Sequence, residues 1–294
     1  MNKKPKKVLP YVAACMTILL WASVFPGVRY VMVHYSPEAL MLFRFIIASI
    51  VLGGYCVIKK TPLPERADVP IFIWTGILGF FVYMWVFNAG TGMVLSGVGS
   101  FIVSSSPVFT LLLSIIFLKE KATLPIWLGV GISFVGMVII GTTQVTEMEL
   151  NFGVILLLLA SILLSVYFIL QRRILQKYNA LQATAYPLII GTIPMFIFTP
   201  RLVAEFSMEL VSVNATVVYL GIFPAALAYL FWVYALSKAE KTIYVTNFMY
   251  LIPFLAALLA FLWLGEEMPV LAFAGGIIVI AGMVIINVTK NKKS

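Results

Sequence analysis

The sequence predicts an all-α integral membrane protein of ten transmembrane helices, folded as two five-helix repeats of inverted topology. Three observations predict it: the composition, the spacing of the apolar runs, and a self-similarity at one fixed offset. Of the 294 residues, 62% are apolar or aromatic and only 11% are charged. An ordinary soluble domain carries about 45–50% and about 25% respectively. No globule of this length hides such an excess, which excludes a soluble enzyme, a disulfide scaffold and a disordered regulator. Cys15 and Cys56 both fall inside apolar runs and imply no disulfide framework.

A bilayer core takes roughly 20 apolar residues per helix, and cutting the chain at charges and turn residues yields ten such stretches. The first, 8–33, follows Lys3-Lys4-Pro5-Lys6-Lys7 and resembles a secretory signal. It has no small-x-small cleavage site before polar sequence, so an uncleaved span is expected. Val12-Ala13-Ala14-Cys15 imitates a lipoprotein box, but too few apolar residues precede it. The second span, 38–58, stops at Lys59-Lys60; the third and fourth are 69–89 and 94–118, the latter stopping at Lys119-Glu120-Lys121; the fifth is 124–141. The second half gives 152–172, 182–200, 213–236, 243–264 and 269–288. The expected organisation is a basic tail 1–7, a first repeat 8–141, a second repeat 152–288 and a basic tail 289–294.

The net charge of +9 suggests nucleic acid in a soluble protein, but in a membrane protein basic residues record orientation. Of the 20 basic residues, all except Arg29, Arg44 and Arg201 fall on the side of the termini and the loops after even-numbered spans. Glu38, Glu147, Glu149, Glu205, Glu209, Glu266 and Glu267 fall opposite. The expectation is a multi-pass cell-membrane protein with both termini cytoplasmic, its lysines contacting anionic lipid rather than nucleic acid.

Sliding the second half back by 146 positions aligns Tyr83 with Tyr229, Pro107 with Pro253, Glu120 with Glu266, Gly129 with Gly275 and Gly136 with Gly282, all without a gap. Five spans per half is an odd number, so the second half enters the membrane from the other side. Inverted repeats recur in secondary transporters, where similar halves exchange conformations and alternate which face is open.

The stretch Trp21-Ala22-Ser23-x-Phe25-Pro26-Gly27, Arg44 in the second span, Pro253, Leu264-Gly265-Glu266 and Gly275…Gly282 resemble the EamA-type members of the drug/metabolite transporter superfamily. The resemblance covers about 8–288. It implies a ten-helix fold with a central cavity lined by helices three, four, eight and nine and parts of one and six. It also implies movement, often export, of amino acids, other metabolites or drugs.

Pro107 and Pro253 stand near the middle of spans four and nine. A proline there removes a backbone hydrogen bond and kinks the helix, and Ser104, Ser105 and Ser106 offer hydroxyls to the freed carbonyls. Mirrored placement makes the two prolines candidate hinges. Candidate cavity residues are Trp21, Tyr83, Asn88, Ser100, Ser104, Tyr229, Trp232, Asn247 and Tyr250, a few polar groups among aromatics that suit a small organic solute. Interhelical hydrogen bonding is the plainer use of any one of them. Arg44 is a basic residue inside a span, able to hold a substrate carboxylate, pair with Glu38 or an outer-loop acid, or snorkel; the resemblance favours a structural role. Glu120 and Glu266 are read as charged gates or loop anchors.

No cofactor or metal is expected. One histidine, His34, cannot supply a metalloprotease cluster, and the filter or charge rings of a channel are not visible. A membrane-embedded enzyme without a recognisable motif and a sensor or scaffold stand as alternatives, and neither explains an inverted repeat. No acid lies at mid-membrane, so proton coupling stays open, as do oligomeric state and substrate identity.

Overall fold

The computed structural model describes residues 9–91, 93–94, 96–144, 152–264 and 270–288; Glu266 and both basic tails lie outside them. The described residues are helical with no strand among them. Seven helices are long and apolar enough to cross a membrane: α1 (Leu9–Val31), α2 (Pro37–Ile58), α3 (Arg66–Thr91), α4 (Gly99–Leu118), α6 (Phe152–Ile174), α7 (Ala180–Glu205) and α8 (Val211–Lys238). Three shorter apolar helices complete the order: α5 (Leu124–Ile140), α9 (Ile243–Leu259) and α10 (Phe273–Ile286). Large side chains such as Ile58, Ile116, Leu262 and Ile277 stand exposed on the outer surface. In water that would be a liability; here the solvent is hydrocarbon, and the protein is a multi-pass membrane protein.

Several of the helices are interrupted, and two of the interruptions recur in step. α3 loosens to a π-helix over Ile77–Val82 and α8 over Gly221–Leu227. Moved by 146 positions, the first becomes 223–228 and overlaps the second. α4 breaks at Ser104-Ser105 between Ser96–Val103 and Ser106–Leu118. In the same frame, that break falls at 250–251, at the end of the 3-10 stretch Asn247–Leu251 in α9. Neither Pro107 nor Pro253 sits in a continuous helix: each is the second residue of the piece after the break (Ser106–Leu118 and Ile252–Leu264). A proline in a first turn costs no helical hydrogen bond, because that N–H has no intrahelical partner anyway. The bend therefore belongs to the residues before the proline.

Hydroxyls reach the carbonyls that flank the α4 break. Ser161 of α6 donates to the Ile102 carbonyl (3.0 Å), Ser165 of α6 to the Ser106 carbonyl (2.9 Å), and Ser105 also to Ile102 (2.6 Å). In lipid every such group must be satisfied inside the protein, so two serines one turn apart on α6 make the break tolerable. The expected hydroxyl donors were those beside Pro107; two of the three come from the neighbouring helix.

α5 and α10 cross through their glycines. Gly129 meets Gly282 and Gly136 meets Gly275, so the two helices run antiparallel. A methyl added at any of the four would come within 2.6 to 2.8 Å of the partner's backbone carbonyl. Small residues two turns apart let membrane helices approach this closely. At the centre, the Ser133 hydroxyl donates to the Val279 carbonyl (3.3 Å), and these two positions are themselves 146 apart.

Candidate functional site

A cavity of about 50 Å3 lies in the middle of the bundle, lined by residues that include Trp21, Phe25, Arg44, Tyr83, Phe87 and Tyr229. Trp21, Tyr83 and Tyr229 each stand beside an irregularity, whereas Arg44 comes from the uninterrupted α2. α1 breaks at Ser23, between Leu9–Ala22 and Val24–Val31, where the Ser23 hydroxyl donates to the Leu20 carbonyl (2.8 Å) and meets the Tyr219 hydroxyl (2.7 Å). Trp21 stands just before that break. Its indole N–H donates to the Pro224 carbonyl (3.3 Å) inside the α8 π-helix, and its ring packs edge-on against Tyr229 at 5.1 Å. Tyr83 and Tyr229 come directly after the π-helices of α3 and α8. A π-turn adds a residue to the turn and so rotates the side chains beyond it, which is why such turns gather at functional sites.

Arg44, from the middle of α2, is 2% exposed. Its guanidinium lies 5.9 Å from the Phe45 ring centroid, and it shares the cavity wall with Tyr83 and Tyr229. Two of the acids proposed for it are engaged elsewhere: Arg201 pairs with Glu38 (3.6 Å) and with Glu205 (3.5 Å), and Glu205 also accepts the Ser36 N–H (2.6 Å); the outer-loop acids Glu147, Glu149, Glu266 and Glu267 lie outside the described residues. Arg44 Nε is buried with no hydrogen-bond partner.

Of the nine expected cavity residues, Trp21, Tyr83 and Tyr229 meet in this cavity. Asn88 does not line it; it ties α3 to α2 by donating to the Pro37 carbonyl (3.2 Å). Trp232 lies behind Trp21, ring centroids 5.0 Å apart, and packs on Phe168 of α6. Ser100, Ser104, Asn247 and Tyr250 are buried at or beside the interruptions of α4 and α9 rather than on the cavity wall. Asn247 keeps both side-chain polar atoms, and Tyr250 and Ser104 their hydroxyls, without partners. Sequence reasoning missed the apolar wall, including Phe25, Phe87, Pro224 and Met249. Pro224 was the readable signal, a proline in mid-span with no counterpart at the equivalent position, Leu78.

At the end carrying most lysines, Glu120 joins the halves. Both its oxygens accept the Thr242 N–H (3.0 Å each), and Oε1 accepts the Thr242 hydroxyl (2.7 Å) just where α9 begins. Arg172 reaches from α6 to the carbonyls of Leu236, Ala239 and Glu240 that end α8. Lys177 bridges Asp68 (2.7 Å) and Glu65 (2.6 Å), and these hydrogen bonds hold its ammonium above the ordinary lysine range.

A helical membrane bundle whose interrupted helices converge on a buried cavity is the architecture of a solute transporter. The chain belongs to the EamA-like transporter family, whose profile matches it twice, over residues 8–142 and 151–288. It is 34% identical to "Uncharacterized transporter YdfC" of Bacillus subtilis (strain 168), across 99% of this chain and 94% of that one. It is 31% identical to a Streptantibioticus cattleyicolor protein named "Probable terminal-alkyne amino-acid exporter", across 94% and 92%. A crystal structure superposes with a TM-score of 0.80 over 98% of this chain and 100% of the other at 16% identity, a likeness of fold alone.

Proposed function

We propose that the protein is a secondary transporter that exports a small organic metabolite, amino-acid-like or drug-like, across the cell membrane by alternating access. In this reading the ten helices form two five-helix units of inverted topology with both termini in the cytoplasm. The solute passes between the units without chemical change. The observation that carries it is the recurrence, at one offset of 146, of a π-helix in α3 and α8 and of a break in α4 and α9. Paired weak points around one site are what two exchanging halves require.

The size of the cavity supports the same reading. About 50 Å3 holds a water or two, whereas pockets for organic ligands span about 300–1,000 Å3. The closed site must widen to load, and the interruptions are where backbone can bend without losing a full set of hydrogen bonds. Glu120 on Thr242 acts as a cytoplasmic latch. The 146 frame pairs Glu266 with Ser96 as its counterpart at the other face. The name of the Streptantibioticus relative supports an amino-acid-like solute and the outward direction.

The test is flux in proteoliposomes loaded with a mixture of amino acids and related metabolites, with and without a pH gradient. Saturable movement of one class, accelerated or not by the gradient, is the expected result and decides coupling. Absence of saturable flux for every class would retire the proposal.

A further inference from the structure

Arg44 is a buried cation whose charge nothing on the described residues balances. It sits in the bundle interior, where an isolated charge is costly and marks a functional site by default. A guanidinium held for structure would spend its five N–H donors on carbonyls or a carboxylate. This one pairs with no acid, leaves Nε bare, and is backed by the face of Phe45. Among the described residues, the outer acids Glu38 and Glu205 are held by Arg201. It opens instead onto the cavity, alongside the hydroxyl-bearing rings of Tyr83 and Tyr229.

We infer that Arg44 is the docking point for the carboxylate of the transported solute, and that the solute is a small monocarboxylate with an apolar or aromatic body. This rests on the transport reading and names its substrate class. A planar guanidinium matches a carboxylate in bidentate geometry, and two phenolic hydroxyls beside it donate to the same oxygens. One cation lines the wall, and its equivalent in the second half, position 190, is an isoleucine. A single positive charge balances a monoanion and leaves a phosphate dianion half-compensated. The rest of the wall, with Trp21, Phe25, Phe87 and Met249, is apolar and aromatic and covers the body.

The test uses the purified full-length protein in detergent with the tryptophans other than Trp21 replaced by phenylalanine, and the fluorescence of Trp21, which lines the cavity. Three matched pairs are titrated: hexanoate against hexanamide, phenylacetate against phenylacetamide, and L-leucine against L-leucinamide. At least one acid is expected to bind ten times or more tightly than its amide. Arg44→Gln should abolish that preference and Arg44→Lys should keep part of it. Should Arg44→Gln not insert, the wild-type acid-to-amide ratio decides alone, with Tyr83→Phe and Tyr229→Phe expected to weaken acid binding several-fold. Equal or tighter binding of all amides, or no binding of any acid, overturns the assignment. Saturable flux of a solute that carries no carboxylate would overturn it while leaving the transport reading standing.

Discussion

Glu120 takes the N–H and the hydroxyl of Thr242 at once, so a single carboxylate holds the start of α9 to the end of α4. Hydrogen bonds to a charged group contribute about 1.5–3 kcal/mol, and Glu120→Ala should release the joint. The expected outcome is faster labelling of a cysteine placed at 241 by a membrane-impermeant thiol reagent from the cytoplasmic side; an unchanged rate would deny the latch. At this scale the sequence was partly legible. It singled out Glu120 and Arg44 because charge in an apolar chain is conspicuous. It could not say that Asn88 spends its amide on a carbonyl while Tyr83, five residues earlier, faces the cavity. In an apolar span, polarity identifies residues worth placing, but the π-helix that sets their rotation depends on neighbouring helices.

Among the elements, α4 shows how a break is supported from a neighbouring helix. Ser161 and Ser165 donate to carbonyls that flank the α4 interruption, and interhelical hydrogen bonds of this kind average about 0.6 kcal/mol in membranes. Ser161→Ala combined with Ser165→Ala should lower stability by about 1 kcal/mol in reversible unfolding, with the fold retained. Pro107→Ala and Pro253→Ala should act differently, because each permits the break to close into continuous helix. Slower flux with normal insertion is the expected result, and flux equal to wild type would remove the hinges. The proline positions were readable as kinks, yet the bend lies before them. Proline fixes where a helix can restart, whereas the neighbours' hydroxyls decide where it lets go.

Over the whole molecule, seven of the ten expected spans coincide with helices long and apolar enough to cross a membrane, and the other three with shorter apolar helices, because hydrocarbon thickness sets a common length. The proposed repeat rests on matched glycines and prolines rather than on leucines, and those glycines are where α5 and α10 touch backbone to backbone. Gly282→Leu has no room to relax against the Gly129 carbonyl. Overpacking of this kind costs about 1–3 kcal/mol, so a lower melting temperature in detergent is expected, and an unchanged one would contradict the crossing. That crossing also supplies a built-in ruler. Ser133 and Val279 are counterparts of each other and touch, so an exchange of the two halves carries each into the other's place and leaves their separation untouched. Under the proposed exchange, spin labels at two exposed counterpart sites beside this point, 135 and 281, should therefore report one constant distance through the whole cycle, while labels at sites that are not counterparts report two.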